Sequence, residues 1–281
     1  MPYTTLISTT GLSAGLTDPD WLVVDCRFEL TDRKAGARAW QAGHIPGAIH
    51  ADLERDLSAP VTAQSGRHPL PPIEEFAATL SRFGVSERTQ VICYDAGSGA
   101  YASRLWWMLR YMGHDAVAVL DGGFAAWVAE GCPISTDPVA RAPAHFVARP
   151  RPGMLCDAAG VFGALAHGDV LVDVRGAERF AGRVEPLDAV AGHVPGAVNL
   201  PYLQNLGPDD RFLSAPALAQ VWRERAGITA GRGIVCMCGS GVTACQGLLA
   251  LEAAGIPGGR LYAGSWSEWI RDPSRPVARD D

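Results

Sequence analysis

Two copies of an α/β domain, each a parallel sheet with helices on both faces, are what this 281-residue sequence predicts. Three observations lead there. The chain repeats itself once, with its motifs in the same order. Within each half, short β-rich runs alternate with helical ones. One apolar run, Ile234–Met237, opens into a loop of cysteine, glycine and hydroxyl residues and then a helix-like segment.

The repeat is legible residue by residue. Leu22-Val23-Val24-Asp25-Cys26-Arg27 returns as Leu171-Val172-Asp173-Val174-Arg175, aligned on an Asp-x-Arg. Gly43-His44-Ile45-Pro46-Gly47-Ala48 returns as Gly192-His193-Val194-Pro195-Gly196-Ala197. Val91-Ile92-Cys93-Tyr94-Asp95 returns as Ile234-Val235-Cys236-Met237-Cys238, which sets Asp95 against Cys238. Asp121-Gly122-Gly123-Phe124-Ala125-Ala126-Trp127 returns as Ala263-Gly264-Ser265-Trp266-Ser267-Glu268-Trp269. The expected domains are therefore 1–136 and 154–281. Residues 137–153, with prolines at 138, 143, 150 and 152, read as an extended linker.

In chain order, Trp21–Asp25 reads as a strand and 73–83 as a helix stopped by Gly84. Gln90–Tyr94 is a strand, 101–112 a helix stopped by Gly113, 116–120 a strand and 124–130 a short helix. The second half follows the same order, with Ile234–Met237 a buried strand and 244–254 a helix rich in Ala and Leu, closed by Gly255. From Arg271 onward, prolines at 273 and 276 mark a loose tail, free to drape over the first domain.

Composition narrows the function classes. Hydrophobic residues make up 48% and charged residues 19%, ordinary for a well-cored globular chain. The net charge is −6 without a Lys/Arg cluster, so neither nucleic acid nor an anionic membrane is an expected partner. No apolar run approaches the ~20 residues that span a bilayer. The N-terminal Met1-Pro2-Tyr3-Thr4-Thr5 lacks the charged and apolar regions of a signal peptide. Seven cysteines, an odd number spread over a long chain, fit reduced thiols and a cytoplasmic location. No cysteine or histidine spacing suits a metal, and no cofactor is expected.

The chemistry points to Cys238. Strand, small-residue loop and helix together aim backbone N–H groups and a helix N-terminus at one point. A cysteine ringed by such donors favours its thiolate, so Cys238 is expected to be a nucleophile. A core position has no use for Gly239 and Gly241 on one side and the hydroxyls of Ser240 and Thr243; an anion-holding loop does. Cys236 lies inside the apolar run and reads as core, and Cys245 as an inert helix residue. A cysteine phosphatase would need a longer loop closed by an arginine that grips phosphate, but six residues on from Cys238 stands Ala244. A non-catalytic sulfur carrier has only Cys238 and Cys245 to support it.

Taken together, the Asp-x-Arg strand ends, the Gly-His-(Ile/Val)-Pro-Gly-Ala turns, the cysteine loop and the Gly-x-x-x-x-Trp near each domain end resemble the two-domain rhodanese sulfurtransferases. The resemblance covers almost the whole chain and implies two tandem rhodanese-like domains. The loop Cys238-Gly239-Ser240-Gly241-Val242-Thr243 is similar to the form in 3-mercaptopyruvate sulfurtransferases; thiosulfate sulfurtransferases tend to carry an Arg-Lys pair after the cysteine. The resemblance implies a catalytic second domain and a degenerate first one. A carboxylate at Asp95 cannot carry a sulfane sulfur.

By the same resemblance, Cys238 takes sulfur from a small-molecule donor, 3-mercaptopyruvate or alternatively thiosulfate, as a persulfide. It then passes the sulfur to a thiol, thioredoxin or cyanide. Backbone N–H groups of Gly239, Ser240, Gly241, Val242 and Thr243 would hold the anions. Arg179 stands where the family places a substrate arginine. The family's second arginine, after a Glu-Pro pair, is replaced by Leu187 in Glu185-Pro186-Leu187, and Arg183 is the nearby substitute. A Ser-His-Asp relay proposed for the family maps onto Ser240, His44 and Asp32. His44 has a second reading, in which it and its twin His193, in the same turn of the other half, both hold turns. Asp25 with Arg27, and Asp173 with Arg175, read as structural ion pairs.

Overall fold

A computed structural model describes residues 2–280 and divides them into two compact units. Met1 and Asp281, the outer limits of the two expected domains, lie outside the described residues. The partition is not a simple cut. Pro60–Pro69, from the first half of the sequence, belongs to the second unit, and Pro208–Phe212 belongs to the first.

The first unit runs β1 (Leu6–Ile7), α1 (Thr9–Gly15), β2 (Trp21–Asp25), α2 (Ala35–Ala42), β3 (Ile49–His50), α3 (Ile73–Arg82), β4 (Gln90–Tyr94), α4 (Ala102–Tyr111), β5 (Val117–Leu120) and α5 (Gly123–Ala129). Its strands form one sheet in the order β1-β5-β4-β2-β3, and every pairing is parallel. Val23, Ile92, Tyr94, Ala118 and Leu120 point to one face, where they meet Leu12 of α1 and Trp127 of α5. Their neighbours Leu22, Val24, Val91, Cys93, Val117 and Val119 point the other way and are buried too. Both faces are covered, which is why these strands read as continuous apolar runs and not as alternating ones.

The second unit repeats the plan: β6 (Leu155–Cys156), α6 (Ala158–His167), β7 (Val170–Asp173), α7 (Ala177–Phe180), β8 (Val198–Asn199), α8 (Ala215–Ala226), β9 (Ile234–Met237), α9 (Ala244–Ala253), β10 (Arg260–Tyr262) and α10 (Ser265–Trp269). The sheet order is β6-β10-β9-β7-β8, again parallel throughout. Asp25 pairs with Tyr94 in the first sheet, and Asp173 pairs with Met237 in the second. Asp95 and Cys238 therefore follow equivalent strand ends. The long elements match the sequence expectation to within a residue or two, while the two-residue strands β1, β3, β6 and β8 are too short for periodicity to reveal.

The repeated motifs turn out to be one device. The Arg27 guanidinium meets Asp25 at 2.5 Å and donates to the Gly43 carbonyl at 2.7 Å. Arg175 meets Asp173 at 2.6 Å and donates to the Gly192 carbonyl at 2.8 Å. Each Asp-x-Arg thus fastens its strand end to the Gly-His turn, and both aspartates are fully buried. The histidines complete the turn in the same way. His44 forms an antiparallel bridge with Ser135, and His193 with Ala278.

Two expectations change. The 137–153 segment is extended, but most of it lies along the first unit: Ala144 N–H donates to the Ser81 carbonyl at 2.9 Å and Arg149 N–H to the Met112 carbonyl at 2.8 Å. The tail after Arg271 belongs to the second unit and not to the first. Asp280 N–H donates to the Ala181 carbonyl at 3.1 Å, and the Trp269 indole donates to the Pro276 carbonyl at 2.9 Å. Prolines mark these segments as extended, and hydrogen bonds within the unit to which each belongs then hold them in place.

Candidate active site

In the second sheet, β7 leads on to β8 at one side, while β9 leads to β10 at the other. Adjacent strands whose successors diverge leave a crevice at their carboxyl ends, where open parallel sheets bind ligands. Cys238 follows β9 at that crevice. Residues 239–243 then lead directly into α9.

The loop is held from three sides. Gly241 N–H donates to Cys238 Sγ at 3.2 Å. Gly241 adopts φ +77°, and a Cβ there would lie 2.2 Å from the Ala263 carbonyl oxygen, so only glycine fits. Ser265 Oγ accepts the Cys238 N–H at 3.1 Å and donates to the Tyr262 carbonyl at 2.8 Å. Ser265 itself sits at φ +53°, a strained conformation for a residue with a Cβ, and these two bonds hold it there. Trp266 N–H donates to the Cys238 carbonyl at 3.0 Å, and Ser267 N–H to that of Gly239 at 2.9 Å. The Cys238 backbone is thus bound to the start of α10 on both sides of its Cα.

Ser240 is nearly buried, and its hydroxyl lies 2.8 Å from Nδ1 of His68. This is not the histidine that the motif singled out. His44 Nδ1 lies 2.8 Å from the Trp40 carbonyl, with its ring stacked on Trp40; His193 repeats this against Phe180. The turn-holding reading of His44 accounts for these contacts. Asp32 is exposed and paired with Arg38 at 2.5 Å, a pairing that holds its carboxyl below the ordinary value.

His68 stands in Pro60–Pro69, which is pinned to its own unit. Arg67 N–H donates to Ser267 Oγ at 3.0 Å, and a Cβ on Gly66 would lie 2.5 Å from the Gly264 carbonyl oxygen. The signal that could have found it is length: residues 51–72 join β3 to α3 without a helix or strand, and long irregular connections in compact domains tend to be functional.

Arg179 lies beside the loop, with Nη1 3.4 Å from where a Cβ on Gly239 would stand. Glu185 binds it in bidentate fashion, the shortest bond 2.8 Å, and Asp188 accepts from its Nη2 at 3.1 Å. Burial pushes the Glu185 carboxyl up, but Arg179 and the N–H groups of Leu187 and Asp188 outweigh it and hold the carboxyl below its ordinary value. Arg183 is about half exposed and paired with Glu178 at 2.7 Å. It does not join Arg179 at the loop; the second guanidinium there is that of Arg67. Leu187 is exposed. Val242 and Thr243 close the loop at the start of α9, where Thr243 takes a helical conformation and makes no side-chain cap.

The other cysteines near the loop are enclosed by their surroundings. Cys236 is fully buried, and burial pushes its thiol well up. Cys245 Sγ donates to the Gly241 carbonyl at 3.3 Å, supporting the loop from below. Among the described residues, no group of His, Cys, Asp and Glu side chains could hold a metal ion.

Residues 8–130 and 161–272 match the family profile of the rhodanese-like domain. The chain is 49% identical to a Pseudomonas aeruginosa protein named probable 3-mercaptopyruvate sulfurtransferase, over 98% of both chains. It is 33% identical to the thiosulfate sulfurtransferase of Rattus norvegicus, over 96% of this chain and 93% of that one. The crystal structure of SseA from Escherichia coli, described as a 3-mercaptopyruvate sulfotransferase of rhodanese fold, superposes with a TM-score of 0.83 at 32% identity. That match covers 95% of this chain and all of SseA.

Proposed function

The chain belongs to the rhodanese-like family, and from that premise we propose that it is a sulfurtransferase that takes sulfur from 3-mercaptopyruvate as a persulfide on Cys238. The observation that carries this reading is the Gly241 N–H on Cys238 Sγ, with the Ser240–His68 pair one residue before Gly241 in the same loop.

In the first half-reaction the Cys238 thiolate attacks the donor's sulfur. The carbon–sulfur bond breaks, its electron pair leaves on carbon as the enolate of pyruvate, and Cys238 holds the sulfur as a persulfide. Loop N–H groups take the place of water around the developing anions. The enolate carbon must gain a proton. Ser240 Oγ–H supplies it, and His68 Nδ1 returns one to the serine; this relay uses His68 in the part expected for His44. The Arg179 guanidinium holds the donor carboxylate. In the second half-reaction a nucleophile attacks the outer sulfur and regenerates the thiolate. A small thiol, thioredoxin or cyanide serves.

The first unit carries no sulfur in this scheme, because Asp95 fills the cysteine's place. A reducing cytoplasm is the proposed compartment, in keeping with seven free cysteines. Among the described residues no helix is long and apolar enough to cross a membrane. Thiosulfate is the second donor reading, since several relatives are named for it. The test is kcat/KM for 3-mercaptopyruvate and for thiosulfate on the purified protein, with cyanide or a thiol as acceptor. A higher value for thiosulfate overturns the donor assignment.

A further inference from the structure

We propose that Ser267 is a positioning residue for sulfur transfer: its hydroxyl docks the segment Pro60–Pro69, which carries His68, on the cysteine loop. The proposal rests on the sulfurtransferase reading and on its Ser240–His68 relay.

The first turn of α10 meets two separate stretches of chain. Trp266 N–H holds the Cys238 carbonyl at 3.0 Å, and Ser267 N–H holds that of Gly239 at 2.9 Å. Ser267 Oγ, for its part, accepts the Arg67 N–H at 3.0 Å, one residue before His68. The serine's own proton points to the Gly264 carbonyl, 3.4 Å away, which leaves a lone pair for Arg67. Gly66 packs against the same turn. A Cβ there would stand 2.5 Å from the Gly264 carbonyl oxygen and 2.9 Å from Ser267 Oγ. Ser267, Gly66 and His68 are all buried, while residues 61–64, at the far end of the segment, are exposed. One side chain thus joins the loop that carries Cys238 and Ser240 to the segment whose His68 Nδ1 lies 2.8 Å from Ser240 Oγ. Proton transfer needs its partners within about 2.6–3.2 Å, so a small shift of the segment is enough to slow it.

The first unit shows that the hydroxyl is not needed to brace a loop. There Phe124 N–H holds the Asp95 carbonyl at 2.8 Å and Ala125 N–H that of Ala96 at 2.9 Å, the same two bonds. Ala125 stands at the place of Ser267 in the repeat. Backbone groups do the bracing in both units. The second unit adds an oxygen, and that oxygen meets the segment with His68.

Hydrogen exchange at the Arg67 amide, read by mass spectrometry on peptides within 60–69, tests the contact without turnover. The kcat with each donor tests its use. In Ser267→Ala the exchange should quicken about three- to tenfold. The kcat for 3-mercaptopyruvate should fall by a similar factor, and that for thiosulfate should change less than about twofold, because sulfite leaves without protonation at carbon. Iodoacetamide labelling of Cys238 should stay within about twofold, since the backbone bonds to the loop remain. Gly66→Ala displaces the segment from the other face and should quicken exchange and separate the two donors in the same way. Unchanged exchange in Ser267→Ala overturns the proposal. So does faster exchange with an unaltered kcat for 3-mercaptopyruvate, or equal slowing with both donors. If His68→Ala leaves kcat for 3-mercaptopyruvate intact, the relay reading falls, while exchange still judges whether Ser267 holds the segment.

Discussion

The loop after β4 and the loop after β9 leave equivalent strand ends, and each surrounds a different side chain. In the first unit the carboxylate of Asp95 accepts N–H donors from Gly97, Gly99, Tyr101 and Ala102, at 2.8–3.1 Å. Burial pushes that carboxyl up, while the four N–H groups pull it down. In the second unit Gly241 N–H turns to a sulfur atom, and the loop leaves Cys238 at the crevice. Both loops tie back to the next helix in the same way: Phe124 N–H donates to the Asp95 carbonyl, and Trp266 N–H to that of Cys238. The scaffold for holding an anion is thus the same in the two units. One copy has filled it with the Asp95 carboxyl, and the other sets the Cys238 thiol there. The first loop spans residues 96–101 and the second 239–243, so the donors also sit differently along the chain.

The largest effect should come from the residue that distinguishes the two loops. Cys238→Ser is expected to lower sulfur transfer by at least about 10³-fold while leaving the fold intact by circular dichroism. Activity like that of the unmodified protein would end the comparison. The same contrast can be pressed from the other side. Asp95→Cys should carry no persulfide at residue 95, because the longer loop misplaces the donors. Intact-mass analysis after incubation with donor should find one added sulfur per chain; a second would refute the division of labour.

Next come the two histidines. His68→Ala and Ser240→Ala should each lower kcat for 3-mercaptopyruvate about 10²-fold or more, and affect thiosulfate less, because sulfite leaves without protonation at carbon. Equal slowing with both donors would remove the relay. His44→Ala should instead leave kcat nearly unchanged and lower thermal stability by about 1–3 kcal/mol, through the lost bond to the Trp40 carbonyl and the stacked ring.

Asp95→Ala is a question of stability alone. It strands four N–H groups in a buried loop and should cost about 3 kcal/mol or more in urea unfolding, with kcat of the remaining folded protein unaltered. A variant as stable as the parent would show that the loop does not depend on its internal anion.

The smallest effect is expected at Cys236. Cys236→Ser should retain sulfur transfer. With its thiol pushed up by burial, Cys236 stays protonated as pH rises through the ordinary thiol range, so iodoacetamide between about pH 6 and pH 9 should label Cys238 and spare it. Faster labelling of Cys236 would mean that the strand end opens to solvent.

Much of this molecule is legible in its sequence. The duplication, the parallel sheets and the place of Cys238 after a strand all rest on local signals: apolar strands, glycines at a turn, a helix that starts on cue. The ion pairs of Asp25 and Asp173 followed from a motif repeated intact, and both are present. Repetition also carried a warning about His44. A histidine found in both halves, only one of which has a cysteine after its strand, is explained by the turn they share.

What tertiary structure alone decided is which distant residues meet the cysteine loop. Ser240 and His68 are 172 residues apart, and Arg67 and Asp188 are 121 apart. Neither His68 nor Arg67 lies in a repeated motif, and no local periodicity marks them. Pro60–Pro69 joins the second unit through contacts such as Gly66 against Gly264 and Arg67 N–H on Ser267. The physical reason is that propensity and patterning act over a few residues, so they determine strands, loops and helices. The encounter of two loops far apart in sequence is settled by packing and by buried polar groups finding partners, and that exists only once the chain has folded.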